Sequence, residues 1–174
     1  HRRTRQAGQY RPMNRYIAPV LLVMMLPACG LQPLYSGGSK GAVAATLGTI
    51  SVVAIEGKNG WLMRNALNDR LGTQNNVSTQ FRLVVTLDDR ISGFGVRADD
   101  TVTRERRTLR ARYQLISTAT GETVLAATAG SDAGIDVVSS EYATIAGENS
   151  ALENLTQKVA DQIVTRLSIY ARGE

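Results

Sequence analysis

Val102-Thr103-Arg104-Glu105-Arg106-Arg107-Thr108-Leu109-Arg110-Ala111-Arg112-Tyr113-Gln114-Leu115-Ile116-Ser117 is the stretch on which the fold turns. Its second half alternates. Leu109, Ala111, Tyr113 and Leu115 point one way, and Thr108, Arg110, Arg112 and Gln114 the other. A period of two belongs to a β-strand with one face on a core and the other in water. Carried backward, the same period sets Arg104 and Arg106 on the side of Arg110 and Arg112.

The flanks supply partners for this strand. Ser78 to Asp88 also alternates, with Phe81, Leu83, Val85 and Leu87 on one face and Arg82, Thr86 and Asp88 on the other. Ser92-Gly93-Phe94-Gly95 permits a bulge or bend, and Ala98-Asp99-Asp100 reads as a turn. On the far side Thr120-Gly121 is a hairpin turn into Glu122–Ala129, with apolar signal continuing through Ile135, Val137 and Val138. Asp88-Asp89 and Asp99-Asp100 lie beside turn residues and read as solvated turn aspartates rather than carboxylate pairs for acid–base work.

Upstream, Leu47 to Glu56 holds Ile50, Val52, Val53 and Ile55 and reads as a strand buried on both faces. Lys58-Asn59-Gly60 ends it, with Asn59 as a helix cap. A helix follows over Trp61–Leu71, carrying Leu62, Ala66, Leu67 and Leu71, with Gly72 as its stop. The strongest helical pattern is Gly147–Ala171, where Leu152, Leu155, Val159, Ile163, Leu167 and Tyr170 form one stripe. The order β-α-β-β-β-α predicts an α+β two-layer sandwich. Two helices pack on one face of a roughly four-stranded, mostly antiparallel sheet. The other face is expected to carry Arg82, Thr86, Arg110, Arg112 and Gln114.

The N-terminal region reads differently. Residues 1–28 hold five arginines and no acidic residue or lysine, which leaves fifteen basic and fifteen acidic residues in the rest. The high pI therefore comes from this leader, and a near-neutral domain excludes nucleic acid as the expected partner. Ile17–Leu26 is apolar apart from Pro19, and ten helical residues rise only about 15 Å, half of a ~30 Å hydrocarbon core. A cationic start, a short apolar run and small residues before a cut describe a signal peptide over 1–28, with Met13 a candidate true start. Cys29 is the chain's single cysteine and His1 its single histidine. That set supports neither a disulfide, a zinc site nor a histidine-based triad. There is no phosphate-loop or dinucleotide fingerprint, and no cofactor is expected.

Leu26-Pro27-Ala28-Cys29 resembles the lipobox of bacterial lipoproteins, which implies acylation of Cys29. Several acyl chains, at about 0.8 kcal/mol per buried CH₂, anchor durably without a spanning helix. Gly30 rather than Asp follows, which in such lipoproteins favours the outer membrane. Residues 29–46 read as the lipidated cysteine plus a flexible tether, rich in Gly, Ser and Ala from Pro33 to Ala45. Residues 47–174 read as one domain.

Further motifs extend the resemblance. Cys29-Gly30-Leu31-Gln32-Pro33-Leu34-Tyr35 is similar to the C-G-F-x-P-L-Y start of the LptE family of lipopolysaccharide-assembly lipoproteins, in particular its alphaproteobacterial branch. So are Asp99-Asp100 before Val102-Thr103-Arg104, Thr120-Gly121-Glu122, Tyr142-Ala143-Thr144-Ile145 leading through Glu148, and Leu167-Ser168-Ile169-Tyr170. Leu31 stands where that family has an aromatic residue, and Gly147 where Ala is expected. The resemblance implies a non-enzymatic lipoprotein on the periplasmic face of a Gram-negative outer membrane. It would plug and scaffold an LptD-type β-barrel, assist lipopolysaccharide assembly and bind lipopolysaccharide itself in some members. Two other classes compete. One is an auxiliary lipoprotein of an envelope ABC-type lipid transporter; the other is a carboxylate-dependent periplasmic hydrolase, for which the chain offers no convincing nucleophile.

Residues 97–112 hold six arginines against Asp99, Asp100 and Glu105, a local charge of +3. Arg104, Arg106, Arg110 and Arg112 share a side and are the candidate contact strip for lipopolysaccharide or a partner, since a guanidinium pairs with phosphate in a planar fork. The competing reading is a solvated strand face or an edge guarded by charge. Cys29→Ala is expected to leave the membrane fraction while the domain stays folded. Fractionation of cells lacking any barrel partner checks this, and a variant that still sediments with the outer membrane refutes the anchor.

Overall fold

The computed structural model describes residues 41–72, 78–96 and 102–173. The leader, Cys29 and its lipobox, the tether up to residue 40 and the Asp99-Asp100 turn lie outside the described residues. The elements are α1 (Ala42–Leu47), β1 (Ile50–Val52), α2 (Gly57–Leu71), β2 (Phe81–Val96), β3 (Val102–Ser117), β4 (Thr123–Asp136) and α3 (Glu141–Ala171). The sheet runs β1-β2-β3-β4. β1 lies parallel to β2, with Ile50 opposite Phe81, because a helix connects them. The other pairs are antiparallel, with Leu109 of β3 opposite Asp89 of β2 and Ser131 of β4. The expected α+β two-layer sandwich is the architecture found.

The long alternating strands divide the sheet's faces as their period demands. Leu83, Val85, Leu109, Ala111, Tyr113, Leu115, Ala129 and Ile135 are buried beneath the helices. Leu152, Leu155, Val159, Ile163 and Leu167 of α3 meet them, none more than 1% exposed. Each such side chain contributes about 2 kcal/mol of transfer free energy. Thr156 and Ser168 also face inward, and each hydroxyl donates to the carbonyl four residues back, at 2.8 Å to Leu152 and Val164, so neither hydroxyl is stranded. Met63, Ala66, Leu67 and Leu71 turn α2 onto the same core. Arg70 of α2 fixes it against α3 through Asp161 at 2.5 Å and Gln157 Oε1 at 2.7 Å. Phe81 and Tyr170 close the far end edge-to-face, their centroids 6.1 Å apart.

The elements depart from expectation at several ends. The stretch expected as tether becomes helical at Ala42, where Ala-Val-Ala-Ala-Thr-Leu favours a helix and Leu47 is buried at its end. The first strand shrinks to Ile50–Val52. α2 begins at Gly57 with Glu56 as N-cap, so Asn59 lies inside the helix rather than capping it. Its stop is as expected: Gly72 adopts φ 63°, which suits a residue without Cβ. Ser92-Gly93-Phe94-Gly95, where a bulge or bend was expected, introduces no register shift into β2, since pairing continues through Ser92–Arg106, Gly93–Glu105, Phe94–Arg104 and Val96–Val102. Cross-strand hydrogen bonding outweighs the poor strand propensity of two glycines. α3 starts at Glu141, six residues before the expected start at Gly147, where the Ser140 hydroxyl accepts from the Ala143 N–H at 3.4 Å.

Gly60 sits where α2 leaves the Ile55 turn. A Cβ there would overlap the Ile55 carbonyl, whereas one at Gly134 meets nothing within 4 Å. Gly60→Ala is expected to destabilise by about 1–3 kcal/mol and Gly134→Ala to stay within about 0.5 kcal/mol. Urea unfolding of the two variants side by side checks this.

Candidate functional site

β3 presents two arginine environments, one on each face. On the helix-free face Arg104, Arg106, Arg110 and Arg112 are all exposed and share one side, as the period predicts. Arg82, Thr86 and Gln114 lie there too, also exposed. The strip is not uniform. Arg104 pairs with Asp136 at 3.0 Å, Arg106 lies 3.9 Å from Asp132, and both guanidinium groups sit over the Phe94 ring at 6.0 and 5.2 Å. Their charge is therefore largely answered locally, and Phe94 gives both cations a cation–π neighbour. Arg110 and Arg112 have no ion pair among the described residues. Asp88, opposite Arg110 in the register, is held by Arg90 at 2.9 Å. Two shallow depressions of this face adjoin these arginines. One is lined by Val84, Thr86, Arg112, Gln114, Ala126 and Thr128, the other by Thr108, Arg110, Gly130 and Asp132. The face thus offers two uncommitted guanidinium forks beside hydroxyl and amide groups, an arrangement able to grip phosphate or carboxylate.

The other face holds Arg107, whose side chain is only 10% exposed. Its Nε and Nη2 donate to Oδ1 and Oδ2 of Asp89 at 2.8 and 2.5 Å, and its Nη1 donates to the Glu148 carbonyl at 2.8 Å. Asn59 Nδ2 adds a donor to Asp89 Oδ2 at 2.6 Å. The Asp89 hydrogen bond holds the Arg107 guanidinium above its ordinary pKa, against burial that lowers it. Burial acts in the opposite direction on Tyr113, pushing its phenol up, and Arg166 draws it back. Asp89 is thus not a solvated turn aspartate, as expected from its neighbours. β2 continues past it, and the carboxylate turns inward into a buried pair. The signal lay in the period: Asp89 shares parity with Leu83 and Val85, and Arg107 with Leu109 and Ala111.

No group of three metal-ligating side chains occurs among the described residues, and no helix among them is long and apolar enough to cross a membrane. Residues 47–167 match the family described as LptE: Lipopolysaccharide-assembly. The chain belongs to this family. The match spans β1 through α3 and so includes both arginine environments. Solved structures share the fold. A candidate lipoprotein of Caulobacter crescentus superposes with TM-score 0.65 at 24% identity, over 76% of this chain and 97% of that one. The rare lipoprotein B of Shewanella oneidensis gives 0.56 at 12%, over 71% and 95%. A minor lipoprotein of Acinetobacter baumannii gives 0.54 at 13%, over 70% and 89%. No curated protein matches this chain in sequence.

Removing one partner of the Arg107–Asp89 pair leaves a buried charge unanswered, which costs about 3–5 kcal/mol. Arg107→Met and Asp89→Leu are each expected to lose about that much. The double variant is expected to recover most of the loss, while Arg110→Ala stays within about 0.5 kcal/mol. A double-mutant cycle by urea unfolding measures this.

Proposed function

We propose that this chain is an outer-membrane lipoprotein, acylated at Cys29, that plugs and scaffolds an LptD-type β-barrel during lipopolysaccharide assembly, without catalysis. Membership of the LptE family supports the process. The lipobox and Gly30 support the address. The observation that carries the contact is the helix-free sheet face with Arg110 and Arg112 uncommitted. A face on which exposed guanidinium groups stand beside hydroxyls suits either the phosphates of lipid A or acidic groups lining a barrel. Arg104 and Arg106, already paired and set around Phe94, serve at the rim of that face. The absence of His and Cys from residues 47–174 supports a binding role over hydrolysis.

Tagged, lipidated protein purified from detergent-solubilised outer membrane is expected to bring one large β-barrel in stoichiometric amount. Recovery with an inner-membrane ATPase complex instead would assign it to an ABC-type lipid transporter. In the same preparation Arg110→Glu/Arg112→Glu is expected to weaken barrel or lipopolysaccharide binding about tenfold or more, since charge-assisted hydrogen bonds contribute about 1.5–3 kcal/mol each. Its melting should match the parent within about 1 kcal/mol. Unchanged binding would return the strip to simple solvation.

A further inference from the structure

β4 is an edge strand of fourteen residues, with β3 on one side and, among the described residues, no strand on the other. The direction of its backbone groups follows from two hydrogen bonds. The Val137 N–H donates inward to the Thr103 carbonyl at 3.0 Å. Gly130, of opposite parity, exchanges both its backbone groups with one side chain: its N–H donates to Gln162 Oε1 at 3.1 Å, and its carbonyl accepts from Gln162 Nε2 at 3.3 Å. The Gln162 amide of α3 thus occupies the place of a neighbouring strand at that one position. The register from Gly130 to Asp136 has no shift, so Asp132, Gly134 and Asp136 also direct N–H and C=O outward. Among the described residues nothing pairs with them.

A groove runs beside this free half of the edge. It lies between Ala133 and Gly134 of β4 and Gly147, Ser150, Ala151 and Asn154 of α3. Gly147 keeps it narrow: a Cβ there would stand 3.3 Å from Ile135 Cγ2. An edge strand beside a helix, with small residues at the Gly134–Gly147 end and Gln157, Lys158 and Asp161 further along α3, is an arrangement in which an extended peptide joins a sheet by main-chain hydrogen bonds.

We infer that the edge of β4 from Asp132 to Asp136 accepts an extended segment of a partner polypeptide as a fifth strand, in the groove against α3. The Gln162 amide ends the binding register at Gly130, which leaves room for about five residues, roughly 17 Å of strand. A second copy of this chain gains little there. The two-fold that uses the free half on both copies, centred on Gly134, pairs only Asp132–Asp136 with itself, roughly 17 Å of strand. Registers displaced toward the strand's middle meet Gln162. The segment therefore carries small side chains toward Gly147 and Ala151, and small or polar ones beside the Arg106–Asp132 and Arg104–Asp136 pairs. That the partner is the barrel rests on the function proposed above; the edge and groove do not.

The test uses the full-length chain in native envelopes, with a photo-crosslinking p-benzoylphenylalanine at Asn154, an exposed position on the groove wall. A single partner polypeptide is expected to cross-link through one mapped extended segment. Gly134→Pro removes the outward N–H without touching the β3 ladder and is expected to cut the adduct at least tenfold. Ser150→Trp, which fills the groove from α3, should do the same, and melting curves verify that both variants fold. No adduct, an adduct of two copies of the chain, or an adduct unchanged in both variants would overturn the inference. So would slow amide exchange at Asp132 and Gly134 in the free chain, which would mean the edge is already covered. An adduct-free groove with the barrel still co-purifying defeats this inference alone. An adduct with a different envelope protein, without barrel recovery, defeats only the barrel assignment.

Discussion

The guanidinium of Arg107 ties together four elements that the hydrophobic core alone would leave loosely related. It reaches Asp89 across the β2–β3 ladder and the Glu148 carbonyl on α3, and Asp89 in turn holds Asn59 of α2. Burying a carboxylate and a guanidinium costs several kcal/mol each, and their attraction offsets this only when the geometry is good and the remaining polar atoms are satisfied. Here the fork is bidentate, the third guanidinium nitrogen meets a carbonyl, and the carboxylate takes an amide. The position matters as much as the pairing. Asp89 is the last residue of β2 with substantial cover; from Arg90 through Phe94 the strand is exposed. The pair therefore sits at the root of a long hairpin whose outer half is held chiefly by its own ladder, and it fixes that hairpin's angle to both long helices.

Much of this was legible in the residues. β3 covers the expected Val102–Ser117, with the alternation of its second half kept, because a half-buried central strand has a neighbour on each side to enforce its period. Gly72 was readable as a stop because its left-handed backbone requires glycine. The helix-free face could be written down residue by residue from parity. What escaped has physical causes. α1 has only six residues, too few for a 3.6-residue period to show. The first turns of α3 carry no apolar stripe, and a single serine cap starts them. Asp89 was misplaced because two adjacent aspartates before glycines look like a turn, although the ladder carries them onward. The division of the arginine strip into a paired and an unpaired half depends on Asp132 and Asp136, more than twenty residues away in sequence, and no local pattern encodes it.

The two faces of β3 show how one residue type serves opposed ends. Arg106 and Arg107 are neighbours in sequence, yet the strand's period sends one into water and the other beneath the helices. The inward one is answered on every side and resists change. The outward ones are weakly coupled to the fold, since exposed ion pairs contribute at most about 1 kcal/mol. The stability of this sandwich therefore depends little on what its open face carries, and that face is free to be shaped by whatever it meets.

The same separation holds in the plane of the sheet. α3 spends its apolar stripe on the core, but its polar flank lies along the free edge of β4, and there it does two different things. At Gly130 it covers the backbone with an amide; toward Asp136 it leaves the backbone uncovered beside a groove walled by Gly147, Ser150 and Ala151. A chain avoiding edge-to-edge association could have covered that half as well, with a charge or a second amide. Covering is thus confined to the middle of the strand, where a free edge would let copies pair along their length. The half left open is too short for copies to pair along their length. An edge of that length discriminates by main-chain geometry first and by side chains second, which suits a partner held mainly through its backbone.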